Sequence, residues 1–200
     1  MRVDDRPVPS LMTFDSWRHL KVAHFWQVLR RRDRAAAALK TALALDPSCV
    51  QAASELGHLY GSAGDYAIAA DYLERARTLA PSDGDIAFNL GFARERAGQQ
   101  DAALAHFKEA VRLKPSIDRA WFGMGLSLAT LGRHAEAAEA LEEAARLQPM
   151  NPHAFYALGM AYHTLGREDK VRRIVERLRT FDPKMTAQLE HDTAQRRGVT

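Results

Sequence analysis

Five prolines, Pro47, Pro81, Pro115, Pro149 and Pro183, recur at a fixed interval of 34 residues. Two glycine series keep the same beat: Gly57, Gly91, Gly125 and Gly159, and Gly64, Gly98, Gly132 and Gly166. A fixed period of this size marks an array of stacked supersecondary units, none of which buries its apolar face alone. Each unit packs only on its neighbours, so the chain presents an extended surface. That points to partner binding as the class of activity.

Residues 118–151 show the unit most clearly. A first helix is expected from Asp118 to Leu131, with Trp121, Met124, Gly125 and Leu128 on one face at i, i+3, i+4 and i+7. Gly132 ends it, because glycine enters the left-handed conformation without steric cost. A second helix is expected from Ala135 to Leu147. Ala137, Leu141, Ala144 and Ala145 form its inner face, and Glu136, Glu139, Glu142 and Glu143 its solvated one. Pro149 then stops the helix.

These residues resemble the tetratricopeptide repeat pattern: an aromatic, a Leu-Gly pair and a Tyr in the first helix, then Ala, a large apolar residue, Ala and Pro in the second. Leu56, Gly57, Tyr60, Ala69, Leu73, Ala76 and Pro81 meet it in residues 50–83. Leu90, Gly91, Ala103, Phe107, Ala110 and Pro115 meet it in 84–117, and Phe155, Leu158, Gly159, Tyr162 and Pro183 in 152–185. The resemblance implies an all-α, right-handed superhelical solenoid of antiparallel helix-turn-helix hairpins. Residues 16–49 are a divergent first hairpin, with His19, Val22, Ala23 and Trp26 where the pattern has Trp, Leu, Gly and Tyr. The turn of that hairpin reads Arg30-Arg31-Arg32-Asp33, without glycine. Residues 1–15, with Pro7 and Pro9, are expected to be loose. Residues 184–200 are expected to be a capping helix, from Lys184 to Arg197, and a tail.

The glycines inside the first helices need a reason, since glycine there costs about 1 kcal/mol against alanine. Close approach of the second helix of the same hairpin would supply one: a side chain at these positions would overpack the hairpin.

The charge is uneven. Residues 1–47 carry a net +4, residues 48–151 a net −4 and residues 152–200 a net +3. No dense basic stripe runs along the chain, which argues against a dedicated nucleic-acid binder. The exception is Arg30-Arg31-Arg32-Asp33-Arg34, which could meet phosphate, RNA or an acidic membrane but has no interleaved aromatics for base stacking. The opening residues MRVDDRPVPS lack the apolar core of a secretory signal. No apolar run is long enough to cross a bilayer. A reduced, cytoplasmic setting is the expectation, and the alanine- and arginine-rich composition has a bacterial character.

Chemistry is not legible. Dinucleotide, Walker, HExxH and GxSxG motifs are all missing, and the single Cys49 excludes an internal disulfide or paired-cysteine metal site. His24 and His58 occupy equivalent places in adjacent repeats but have no third ligand in their row. No enzyme activity, cofactor or metal is expected.

The informative surface is the concave one, which the resemblance assigns to the first helices. By register one row is Leu20, Ser54, Phe88, Phe122, Tyr156, and the next is His24, His58, Phe92, Leu126, Met160. Arg119 and His163 flank them. Phe88, Phe92, Phe122, Leu126, Tyr156 and Met160 are expected to form an apolar strip that holds a protein or peptide segment, since contiguous exposed apolar patches mark interaction sites. The alternatives are a targeting or assembly subunit of a larger enzyme or secretion complex, self-association through the same strip, or contact with RNA or an acidic surface through the basic ends. The lysine, arginine and asparagine set with which some tetratricopeptide co-chaperones clamp a C-terminal carboxylate is not rebuilt by Arg119 and Asn89.

Overall fold

The computed structural model describes residues 14–195, and among them every regular element is an α-helix. The helices are α1 (Phe14–Val28), α2 (Arg32–Leu45), α3 (Val50–Ala63), α4 (Tyr66–Leu79), α5 (Gly84–Arg96), α6 (Gln100–Leu113), α7 (Asp118–Thr130), α8 (His134–Leu147), α9 (Pro152–Thr164), α10 (Glu168–Arg179) and α11 (Pro183–Gln195). Consecutive helices form five hairpins, α1/α2 through α9/α10, and α11 packs on both α9 and α10. Phe14 and Asp15, expected to be loose, open α1, because Phe14 stacks on Trp17 and Asp15 pairs with Arg18. The remainder of that segment, with Pro7 and Pro9, lies outside the described residues, as do Arg196 and Arg197.

Two compact units divide the chain, the first ending at Ser82 and the second starting at Asp83. The first holds α1–α4. Ala35, Leu39, Ala42, Ala52, Ala53, Leu56, Ala69 and Leu73 are buried in it. The second holds α5–α11 around two kinds of anchor. Phe107 and Leu141 fill hairpin interiors, while Leu158, Leu178 and Leu189 close the C-terminal end.

Periodic glycines carry two separate jobs. Gly64, Gly98, Gly132 and Gly166 all have φ between 68° and 90°, the left-handed turn that ends each first helix. Arg30 stands one period earlier and has φ 54°. Its turn is closed by the same bond, Arg31 N–H to Trp26 O at 2.9 Å, matching Arg133 N–H to Leu128 O at 2.8 Å. The first hairpin therefore keeps the turn geometry with an arginine in the glycine's place.

The second job is close approach. A Cβ on Gly57 would lie 2.5 Å from Leu73, one on Gly91 2.8 Å from Phe107, and one on Gly125 2.6 Å from Leu141. In these three the second helix of the same hairpin fills the space. Gly159 differs: its nearest neighbour is Leu189 of α11, at 2.6 Å. Val175, the residue in register with Leu141, is only half-buried, and α10 instead buries Val171, Ile174 and Leu178. The last helix thus inserts Leu189 where the three preceding hairpins use Leu73, Phe107 and Leu141 of their own second helices.

Candidate functional site

Within the second unit the first helices α5, α7 and α9 carry the expected strip. They also touch one another directly, α5 to α7 and α7 to α9. That contact decides which residues remain open. Phe88 is covered, Phe92 is exposed, and Phe122, Leu126, Tyr156 and Met160 lie between the two.

Phe88 shows the effect and corrects the expectation. Its ring is only 9% exposed and belongs to a buried cluster with Ala87, Phe107, Ile117 and Ala120. Its centroid lies 6.1 Å from that of Phe107, and the Arg119 guanidinium sits 4.9 Å from the ring centre. Phe88 is a core residue roofed by Arg119. Arg119 itself is exposed.

Phe122, Tyr156 and Met160 are half-buried and pack on one cluster, formed by α8, α9, α10 and Leu189. Leu126 is half-buried on α7. Phe92 is the most open of the six apolar residues, at 44% exposed. The open strip is therefore Phe92 with the accessible edges of Phe122, Leu126, Tyr156 and Met160.

Its rim is polar. Tyr156 Oη donates to Asp192 Oδ2 at 2.6 Å, and Gln188 Nε2 donates to the same oxygen at 2.8 Å. These bonds, the one from Tyr156 first, hold the Asp192 carboxyl down at about 2. His163 is nearly enclosed, its Nδ1 3.3 Å from Glu168 Oε1 at the start of α10. Its ring is engaged by the scaffold more than by the strip. Glu95, in register with His163 on α5, has its carboxyl pushed above the ordinary range by burial. No feature of the sequence marks Asp192, because α11 follows the last repeat and falls outside the period.

The first unit has a different lining. Glu55 Oε1 is 2.7 Å from His24 Nε2 and accepts from Gln51 Nε2 at 2.9 Å, while Glu55 Oε2 accepts from Gln27 Nε2 at 3.2 Å. His24 thus finds a carboxylate from the next first helix. Among the described residues, no three His, Cys, Asp or Glu side chains gather as a metal centre requires.

The family model for the middle TPR-like domain of cilia and flagella-associated protein 70 matches residues 54–180. The chain belongs to the tetratricopeptide repeat family. A general tetratricopeptide repeat model also matches residues 27–60, which reach back into the divergent first hairpin. No curated protein matches the chain. Among solved tetratricopeptide structures, that of MamA protein has a TM-score of 0.78 at 22% identity, covering 90% of this chain and 94% of that one. The structure of YrrB, a TPR protein with an unusual peptide-binding site, has a TM-score of 0.79 at 24% identity, covering 88% of this chain and 92% of that one. MamA 41-end from Desulfovibrio magneticus RS-1 has a TM-score of 0.76 at 18% identity, covering 91% of this chain and 98% of that one. At these identities the likeness is one of fold. Among the described residues, no helix is long and apolar enough to cross a membrane.

Proposed function

We propose that this tetratricopeptide protein is a non-catalytic scaffold or adaptor, holding an extended or helical segment of a protein partner on the first-helix face of its second unit. The observation that carries the reading is the run Phe92, Leu126 and Met160. These are large apolar residues one period apart on successive first helices, beside the partly open rings of Phe122 and Tyr156. Repeat packing does not require them: the corresponding residues in the first two hairpins are His24 and His58. A peptide-binding site in YrrB, a protein of the same fold, supports the same use of the fold here.

A preformed face lowers the ordering cost of binding to that of the ligand segment alone. Apolar anchors in such a segment would sit against the strip, with Arg119 at its edge offering a cation to a carboxylate.

The test is selection of peptides from a random displayed library against the whole chain, followed by anisotropy titration of the winners and NMR shift mapping. Shifts centred on Phe92, Phe122, Leu126 and Met160, together with loss of binding in Phe92→Ser, would support the reading. Shifts centred on another face, with Phe92→Ser binding unchanged, would overturn it.

A further inference from the structure

We propose that α1 and the turn after it form a docking surface for an anionic lipid membrane, lying in its interface without crossing it. The outward side of α1 carries Phe14 at 73% exposed, Phe25 at 57% and Val28 at 80%, with Trp17, Val22 and Leu29 also exposed. Lys21 lies over the Trp17 ring, its Nζ 5.5 Å from the centroid.

Register shows these apolar residues to be additional to the fold. Where α1 has Val28, the later first helices have Ser62, Arg96, Thr130 and Thr164. Where it has Phe14, the next three repeats have Ser48, Ser82 and Ser116, and the last has Met150. An apolar side chain that no hairpin needs, kept in water, marks a surface that leaves water in use.

Charge selects the occupant. Residues 14–34 hold Arg18, Lys21, Arg30, Arg31, Arg32 and Arg34 against only Asp15 and Asp33, so the partner is anionic. Packing separates a membrane from another helical hairpin. In later first helices one row holds the half-buried Leu59 and the buried Ala93, Ser127 and Ala161, and another holds only buried apolar residues, Ala52, Ile86, Ala120 and Ala154. In α1 those two rows hold Phe25 and Arg18. A guanidinium in the second row is costly to bury beneath another hairpin, whereas Phe25 and Arg18 both suit a fluid interface, where rings enter the headgroup boundary and long cationic side chains reach the phosphates. Arg30 adds a further sign. It occupies a left-handed turn that glycine takes in the four other hairpins, so charge is kept there at a conformational cost.

The experiment is co-sedimentation of the full chain with phosphatidylcholine vesicles, with and without phosphatidylserine, alongside tryptophan emission. Binding that requires phosphatidylserine and blue-shifts the emission is expected. Replacing Arg30, Arg31 and Arg32 with Gln should weaken it by roughly a hundredfold, at about 1 kcal/mol per basic residue near the surface. The Phe14→Ser, Val28→Ser double variant should abolish the blue shift while its circular-dichroism melt stays close to that of wild type, since Val28 is in solvent and Phe14, mostly exposed, gives up only its stacking on Trp17 in the first turn of α1. Failure to pellet with phosphatidylserine vesicles would overturn the proposal. So would pelleting unaffected by the double variant. Binding of a polyuridine oligonucleotide that depends on the same arginines, without vesicle binding, would assign the surface to nucleic acid instead.

Discussion

Tyr156 on α9 donates its phenolic proton to Asp192 on α11 across 2.6 Å. In α5 and α7 the equivalent residues, Phe88 and Phe122, turn toward a following hairpin; at the end of the array the partner is a polar capping helix. The bond has a pH signature. Asp192 is held at about 2, below its ordinary 3.8. A carboxyl whose folded value is depressed adds stability that is complete above the unfolded value and is lost as pH falls toward the folded one. Docking of α11 should therefore be insensitive to pH above about 5 and weaken between about 4 and 2. Tyr156→Phe should move the Asp192 titration back up toward the ordinary value, read by carboxyl-carbon NMR. An unchanged midpoint would show that the hydrogen bond is not what holds it.

Arg30 is the residue of its turn series that is not glycine, at φ 54°. Left-handed backbone costs a side-chain-bearing residue roughly 1–2 kcal/mol, and glycine escapes that cost. Arg30→Gly should stabilise the first hairpin by roughly 1 kcal/mol in urea melts, less the larger unfolded-state entropy of glycine. A destabilised variant would mean that the arginine side chain has a structural contact outweighing the backbone gain.

Phe107 is held between glycines of two successive first helices. A Cβ on Gly91 would lie 2.8 Å from its ring and one on Gly123 2.6 Å. Gly123→Ala should cost about 1–3 kcal/mol by overpacking. The cost should shrink in a Phe107→Leu background, giving a measurable coupling in a double-mutant cycle. Gly61→Ala is the control. Its new methyl would meet only Ala69 Cβ at 3.8 Å, so removing glycine from a helix should stabilise by about 0.5–1 kcal/mol.

Gly123 also shows the boundary of what the sequence can say. Gly57, Gly91 and Gly125 announce themselves because close approach recurs once per repeat, and Gly64, Gly98, Gly132 and Gly166 because the same turn recurs. Gly123 answers a single event, the size of Phe107 where the first, second and fourth hairpins place leucine, so no period reveals it. Arg30 hides in the opposite way: the turn is conventional and only its residue departs. The candidate strip was legible as a register and less so as a surface. Facing outward from one hairpin is a local property, whereas coverage by the next first helix is a property of stacking, and it is stacking that buries Phe88 and leaves Phe92 open.

That difference gives the sharpest test of the partner-binding face. Phe88 and Phe92 sit one helical turn apart on α5, and both were candidates for the same role. Phe88 is enclosed by Phe107, Ala120 and the Arg119 guanidinium, while Phe92 is 44% exposed. Phe88→Ala should cost about 3–5 kcal/mol by leaving a cavity in a packed cluster, and the thermal midpoint should fall accordingly. Phe92→Ala should change stability by no more than about 0.5 kcal/mol, as surface substitutions do. In affinity the order should reverse. A selected peptide should lose about 2 kcal/mol, near thirtyfold, on Phe92→Ala, as aromatic anchors of an interface do. Phe88→Ala, measured well below its melting temperature, should bind with little change. Equal loss of affinity in the two variants would mean that the strip responds to folding of α5 as a whole, and that Phe92 is not an anchor.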